Sequence, residues 1–300
     1  MELRHLRYFV AVAEELNFSR AAERLHMAQP PLSQQIRSLE QELGVQLFER
    51  TKHQVRLTTA GIVFLQEARL TLQAAEQAIR TAQRASRGEI GRLVVGFASV
   101  AAYSVLPEIL RVFRERFPEI EFLLYELNTG LQVQGLLNSA IDVGFLFTPI
   151  HESGLELMSV REEPLVVALP ETHPLATLPQ VSVSALADES FILFPRHLAP
   201  SFYDLILSAS QQAGFSPKVA QEANQLQTMI NLVAGGMGIA LVPACLQNLQ
   251  RTGVVYKDLQ GKVSHLQTAM IWRRNDSSSV LYNFIQVVKE TIQMSQGFGL

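Results

Sequence analysis

The sequence predicts an N-terminal all-α winged helix-turn-helix, a long linker helix, and a C-terminal α/β domain built from two consecutive strand–helix sets. Three observations predict it. Between Phe18 and Arg50, two short helical patterns flank a tight turn. After Gly44 the apolar period shortens to that of strands, and a helix without Gly or Pro then runs from Ile62 to Arg87. From Leu93 onward, apolar strands alternate with helices, the pattern of a parallel α/β sheet.

The bulk properties fit that division. Three hundred residues suggest two domains at ~150 residues each. A hydrophobic fraction of 48% with 18% charged residues describes an ordered chain. The net charge is −3, yet residues 1–87 hold 12 Lys+Arg against 9 Asp+Glu, leaving −6 to the remainder. That sign fits a nucleic-acid-binding front end and an unrelated back end. The lone Cys245 excludes an internal disulfide and a cysteine-rich zinc site, and reads as a buried free thiol. No apolar run approaches the roughly 18 residues of a membrane span, and no signal-peptide core is visible. A cytoplasmic protein without a cofactor is the expectation.

The front end begins with Leu3, Leu6, Phe9, Val10, Ala13 and Leu16, one amphipathic helix. Ala21, Ala22, Leu25 and Met27 mark the next helix and the turn, with Ser19 as its expected cap. Leu32, Ile36, Leu39 and Leu43 mark the third helix, whose opening turn accepts Pro30 and Pro31 because no backbone donor is needed there. Its opposite face carries Gln29, Ser33, Gln34 and Arg37. Gln reads adenine bidentately, Ser meets phosphate or a base edge, and Arg anchors phosphate. Two short strands containing Val45, Leu47 and Phe48, then Val55 and Leu57, enclose Arg50-Thr51-Lys52-His53-Gln54 as a basic wing. Arg50 and Lys52 suit phosphates there, and His53 the minor groove. A solvated hairpin tip is the competing reading.

Thr58 or Thr59 opens the long helix. Leu65, Leu72 and Ile79 lie seven apart, and Ala68, Ala75 and Ala82 follow each by three. This a/d pattern suits close pairing of two copies. Packing against its own domain is the alternative.

In order and spacing, Leu6, Phe9, Ala21-Ala22, Leu25, Gln29-Pro30, Leu32-Ser33, Ile36, Leu39-Glu40, Gly44, Leu47-Phe48, Arg50, Leu57-Thr58 and Ala60-Gly61 resemble the LysR-type transcriptional regulators. The likeness runs over essentially the whole chain, toward the branch that regulates aromatic-catabolism and acetoin-type operons. One departure is Ala28, where many members have Ser or Thr before Gln-Pro; it weakens a helix cap.

In the back end, strands are expected at Leu93 to Phe97, Ile120 to Leu127 and Ile141 to Phe147, with helices at Ser99 to Phe113 and Leu131 to Asn138. A second set has strands from Pro164 to Leu169, at Phe191 to Phe194, around Val219 and at Gly238 to Val242. Its helices are Ser201 to Ala213 and Gln225 to Ala234. The last strand, Gln267 to Trp272, and the helix Val280 to Met294 lack a sheet of their own. The resemblance implies that they return to the first lobe, giving two lobes and two crossovers like a periplasmic binding protein. The domains then read 1–58 for the winged helix, 59–88 for the linker helix and 89–300 for effector binding. Lobe I would take about 89–161 and 267–300, and lobe II about 162–266.

Ligands in such sheets bind at the carboxyl ends of strands. Ser99-Val100, Asn128-Thr129 and Phe147 stand at those ends in the first lobe, with Arg196 and Phe202 across the cleft. Hydroxyls at two helix starts suit a carboxylate, although ordinary helix capping explains them as well. By resemblance, Ser99, Thr129 and Phe202 match effector-contact positions. Relatives that sense muconate-type diacids carry an Arg where this chain has Leu146-Phe147, so a monocarboxylate or weakly polar metabolite fits better, with Arg196 as a substitute cation. Gly235-Gly236-Met237-Gly238 reads as a helix-to-strand turn, and no catalytic constellation or metal-ligand spacing is present.

The expectation is therefore a non-enzymatic regulator that binds inverted-repeat promoter DNA and a small carboxylate effector. The resemblance adds a dimer of dimers that bends DNA, with RNA polymerase as a further candidate partner. The competing class is an α/β solute-binding protein or enzyme with a helical dimerisation module. The absent signal peptide and the absent catalytic cluster count against it.

Overall fold

The computed structural model describes residues 1–50, 54–150, 152–261 and 265–297, and divides into two compact units, Met1–Ala85 and Ser86–Leu300. The first unit is the expected winged helix: α1 Leu3–Glu15, α2 Phe18–Arg24, α3 Gln29–Leu43, β1 Phe48–Arg50, β2 Val55–Leu57 and α4 Thr59–Ser86. Leu6, Phe9, Val12, Ala21, Ala22, Leu32, Ile36, Leu39, Leu47 and Phe48 are buried together. Phe9 is central, with its ring centroid 5.3 Å from Phe48 and 5.0 Å from Phe64. Leu3 and Leu16 lie outside this core, because the helix buries Ala11, Val12 and Ala13 instead.

One local expectation is corrected and another is resolved. Asn17, not Ser19, caps α2: its Oδ1 accepts from the backbone N–H groups of Ser19 and Arg20 at 2.9 and 3.2 Å. Thr58 opens α4, its hydroxyl accepting from Gly61 N–H at 2.9 Å and donating to the Gln46 carbonyl at 2.7 Å. Ala28, as expected, provides no side-chain cap for α3.

The second unit contains β3 Ile90–Phe97, α5 Ser99–Tyr103, α6 Leu106–Arg116, β4 Glu119–Glu126, α7 Thr129–Leu137, β5 Val143–Phe147 and β6 Leu155–Pro170. Then come β7 Gln180–Ser182, β8 Ser190–Leu193, α8 Pro200–Gln212, β9 Lys218–Glu222, α9 Leu226–Ala234, β10 Ala240–Pro243, β11 Val254–Gln260, β12 His265–Arg273 and α10 Ser279–Gly297. The sheet order is β4-β3-β5-β12-β6-β11-β7, with β10 also on β6. β3 pairs in parallel with β4 and β5, whereas β12 enters antiparallel between β5 and β6. The sheet is thus mixed, not parallel throughout.

Lobe I buries alternating faces of its strands. Leu93, Val95, Phe113, Phe145, Phe284 and Val288 share one core, and Val94, Leu136, Ile141, Leu146 and Ile271 share the other. Lobe II buries Leu165 to Leu169 without a break, because β6 is covered on both faces there. As expected, β12 and α10 return to lobe I: β12 pairs with β5, and Phe284 of α10 stacks on Phe113 at 5.2 Å.

The expected helix Ser99 to Phe113 is two helices. The chain breaks at Ser104, whose hydroxyl donates to the Val100 carbonyl at 2.9 Å. β7 and β11 were not expected; β11 is mostly half-exposed and carries no clear alternation. Gly235 to Gly238 is a turn, with Gly236 and Gly238 both at positive φ. Cys245 is a buried free thiol, pushed up to about 12 by that burial.

Two predictions follow from the head. A Cβ at Gly61 would stand 2.1 Å from the Leu47 carbonyl oxygen, a backbone atom. Gly61→Ala is expected to lower unfolding stability by about 1–3 kcal/mol in denaturant titration. Glu14 accepts from Arg69 and Arg24 at 2.6 and 2.8 Å, tying α1 to α4 and α2. The Arg69 hydrogen bond, foremost, holds its carboxyl below the usual value of 4.5. This contribution is full above pH 4.5 and is lost as pH falls through the lower folded value. Glu14→Gln is therefore expected to flatten the acid limb of the thermal midpoint, with no change in that limb as the contrary result.

Candidate functional site

In the first unit, α3 buries Leu32, Ile36 and Leu39 and exposes Gln29, Pro30, Pro31, Gln34 and Arg37. The three polar side chains therefore project from a helix whose orientation its apolar stripe fixes. The two prolines supply no N–H at the helix start, and Ala28 supplies no side-chain acceptor there. Ser19 is exposed on α2, and Ser33 is half-buried.

Arg50 departs from its expected role. Its Nη2 donates to Glu40 Oε2 at 2.8 Å, its Nη1 reaches Ser33 Oγ at 3.4 Å, and its guanidinium lies 4.8 Å over the Phe18 ring. Glu40 Oε1 also accepts from the Leu47 and Phe48 N–H groups at 3.0 and 3.1 Å. Arg50 and Glu40 thus brace the wing against α3, and the guanidinium is engaged within the chain instead of offered to phosphate. Lys52 and His53 lie outside the described residues. Glu40 is the residue that sequence reasoning missed here: an acid on a helix with an outward polar face reads as solvated until three donors are placed around it.

On α4, Leu65 and Leu72 are half-buried against the winged-helix core around fully buried Ala68, while Ile79 is 56% exposed. The expected pairing positions are thus partly consumed within the unit. On the opposite face Val63 and Leu70, seven apart, are 58% and 59% exposed.

In the second unit, the carboxyl ends of β3, β4 and β5 meet at a cavity of about 310 Å³. It is lined by Ser99, Val100, Asn128, Thr129, Phe147 and Phe202, six of the seven residues expected, together with Glu126, Leu131, Phe194, Asn224 and Gln225. The strand ends are held by Gln132, fully buried, whose Nε2 donates to the carbonyls of Leu127 at 2.8 Å and Phe145 at 3.1 Å. Phe147 and Phe202 stack across the cleft at 6.1 Å. Asn128 caps α7, its Oδ1 accepting from Leu131 N–H at 2.9 Å. The volume lies at the small end of ligand pockets, and the lining is mainly apolar with few polar groups. Larger hollows of about 660 and 850 Å³ lie beside Glu163 and Cys245 and beside Thr148, Ser201 and His265.

Arg196 is the expected residue that the cleft does not include. Its Nε and Nη2 donate to the two Asp204 oxygens at 2.8 and 3.0 Å, a bidentate pair on the surface. The Arg196 guanidinium holds the Asp204 carboxyl below its usual range. The missed residue is Glu126, the last of β4: Ser99 Oγ donates to its Oε1. The strand-end rule points to this position as well as to the helix-starting Asn128 and Thr129.

A winged helix-turn-helix with an outward polar recognition helix, carried with a two-lobed α/β domain that has a cleft at its strand ends, defines a DNA-binding regulator with a small-molecule domain. The comparisons agree. Residues 3–62 match the bacterial regulatory helix-turn-helix protein family, lysR type, and residues 86–293 match the LysR substrate binding domain. The chain is 40% identical to the HTH-type transcriptional regulator AlsR of Bacillus subtilis over 96% of its own length and 95% of that protein. It resembles the crystal structure of CbnR, a LysR family transcriptional regulator, with a TM-score of 0.87 at 31% identity over 96% of this chain and 100% of that one. Full-length CbnR complexed with its target DNA matches with a TM-score of 0.86 at 30% identity over 97% and 100%. The chain belongs to the LysR family of regulators.

One prediction separates base reading from charge. Gln29→Ala is expected to weaken operator binding by roughly 1–3 kcal/mol and relax preference at one base pair. Arg37→Ala should weaken all sequences alike and flatten the salt slope by about one unit. A titration in which Gln29→Ala alters neither affinity nor preference would remove α3 as the reading helix.

Proposed function

We propose that this protein is a non-enzymatic transcriptional regulator that binds inverted-repeat promoter DNA through α3 and changes its DNA-bound state when a small molecule fills the strand-end cleft. The observation that carries the reading is the exposed Gln29, Gln34 and Arg37 face backed by fully buried Leu32, Ile36 and Leu39. Residues 1–58 serve as the DNA-binding head, with Ser19, Pro30, Pro31 and Ser33 near the duplex and Lys52 and His53 on the wing. Residues 59–88 serve as the pairing helix and 89–300 as the effector domain, with lobe I at about 89–161 and 267–300 and lobe II at about 162–266. A cytoplasmic location accords with the DNA partner. Among the described residues, no helix is long and apolar enough to cross a membrane. RNA polymerase is the further partner at the promoter.

The assembly we propose is a dimer of dimers. Pairing of α4 uses the exposed Val63–Leu70 face and the stretch around Ile79, beyond the part of Leu65 and Leu72 that packs on the winged-helix core.

Two experiments test this reading. Mobility of a fragment from the chain's own promoter region is expected to shift with the full chain and not with a chain lacking residues 1–58. For pairing, Leu70→Asp places a charge on the exposed face without touching the core. Sedimentation should then show a smaller species with an unchanged unfolding midpoint, whereas Leu72→Asp should lower both. An unaltered assembly in Leu70→Asp would exclude that face.

A further inference from the structure

The cleft carries a charge pattern opposite to that of a carboxylate receptor. Of the side chains that line it, Glu126 alone is charged among the described residues. Ser99, the expected anchor for a ligand anion, donates its hydroxyl hydrogen to Glu126 Oε1. A hydroxyl has one hydrogen to give, so this pair offers a ligand acceptor capacity and no donor. The nearest expected cation, Arg196, is held by both oxygens of Asp204 and lies outside the cleft lining. Of the N–H groups at the start of α7, that of Leu131 is already taken by Asn128 Oδ1. A ligand carboxylate at Ser99 would therefore stand beside the Glu126 carboxylate, and like charges repel. The charge of Glu126 also reaches Tyr103 at the end of α5, whose hydroxyl burial, and then Glu126, push upward in pKa.

We infer that the cleft selects a compact apolar molecule bearing a hydrogen-bond-donating head, a hydroxyl or an ammonium, and that Glu126, with Ser99 as its partner, is the residue that sets this selectivity against carboxylates. The inference rests on the reading of this cleft as the effector site. The head donates to Glu126 and to the lone pairs of Ser99, while the body lies on Phe147, Phe194 and Phe202. The Thr129 hydroxyl and the amides of Asn224 and Gln225 serve as donor or acceptor and do not discriminate between the two ligand classes. The volume of about 310 Å³ limits the body to roughly the size of one ring.

The test is equilibrium dialysis of the full-length chain with three labelled probes that share one ring: benzylamine, benzyl alcohol and benzoate. Glu126→Gln is exposed and isosteric, so its folding is not at issue. Leu131→Trp, at an exposed position of the lining, fills the cleft and reports where the probes bind. The unmodified chain is expected to hold benzylamine and benzyl alcohol at least about tenfold more tightly than benzoate, the scale of one charge-assisted hydrogen bond. Glu126→Gln should weaken benzylamine by a similar factor and strengthen benzoate, and Leu131→Trp should abolish retention of whichever probes bind. Benzoate held as tightly as benzylamine, or a ratio unmoved by Glu126→Gln, overturns the selectivity while leaving the cleft reading intact if Leu131→Trp still blocks. Retention that survives Leu131→Trp, or no retention of any probe, overturns the cleft reading and this inference with it.

Discussion

The architecture of the effector domain depends on the antiparallel pairing of β6 with β12. β6 is 16 residues long, and its partner runs beside it from the His265–Pro164 pair to the Arg273–Leu155 pair. One end of β6 contributes Leu155 and Val160 to the lobe I cores, and the other contributes Leu165 to Leu169 to lobe II. The lobes are therefore joined by a shared ladder of backbone hydrogen bonds, not by loose linkers. The ladder is irregular at one place, between Thr268 and Ala269, opposite Ser159 and Arg161. A bulge of that kind bends and twists the strand locally.

The cleft owes its form to the same constraint. Because β12 enters beside β5, the carboxyl end of β5 is held between β3 and a strand that continues toward lobe II. Phe147 is thereby brought to Phe202, and the two rings close one wall. Gln132 secures the neighbouring strand ends from below, and its Oε1 has no hydrogen-bond partner. A Cβ on Gly144 would lie 2.7 Å from that oxygen, so the glycine makes room for the amide. The Gln132 amide thus ties the chain leaving β4 to β5 beside the cavity.

The DNA-binding head solves a different problem, that of a small core. Phe9, Phe48 and Phe64 supply most of its aromatic packing, and one carboxylate, Glu40, satisfies two N–H groups at the start of the wing and the Arg50 guanidinium. The wing is thus anchored to the recognition helix by charge-assisted hydrogen bonds. Arg37 remains exposed on the same helix.

Periodicity and punctuation in the chain determined the winged helix, the long helix and the alternation of strands with helices. Those signals are local: the stripe Leu32, Ile36, Leu39, the turn at Gly44, and the apolar runs at Leu93 to Phe97 and Ile141 to Phe147. The strand-end rule placed Ser99, Val100, Asn128, Thr129, Phe147 and Phe202 in one cleft, because the carboxyl ends of neighbouring strands converge in any such sheet. Only the tertiary structure decided which charges the functional surfaces present. Arg50 and Arg196 look like free cations in sequence, but Glu40 and Asp204 reach them in space. Glu126 looks like a solvated strand end until Ser99, 27 residues away, is brought against it. Hydrophobic spacing is written along the chain, whereas ion pairs and hydrogen-bond partners form between segments whose separation no local pattern encodes.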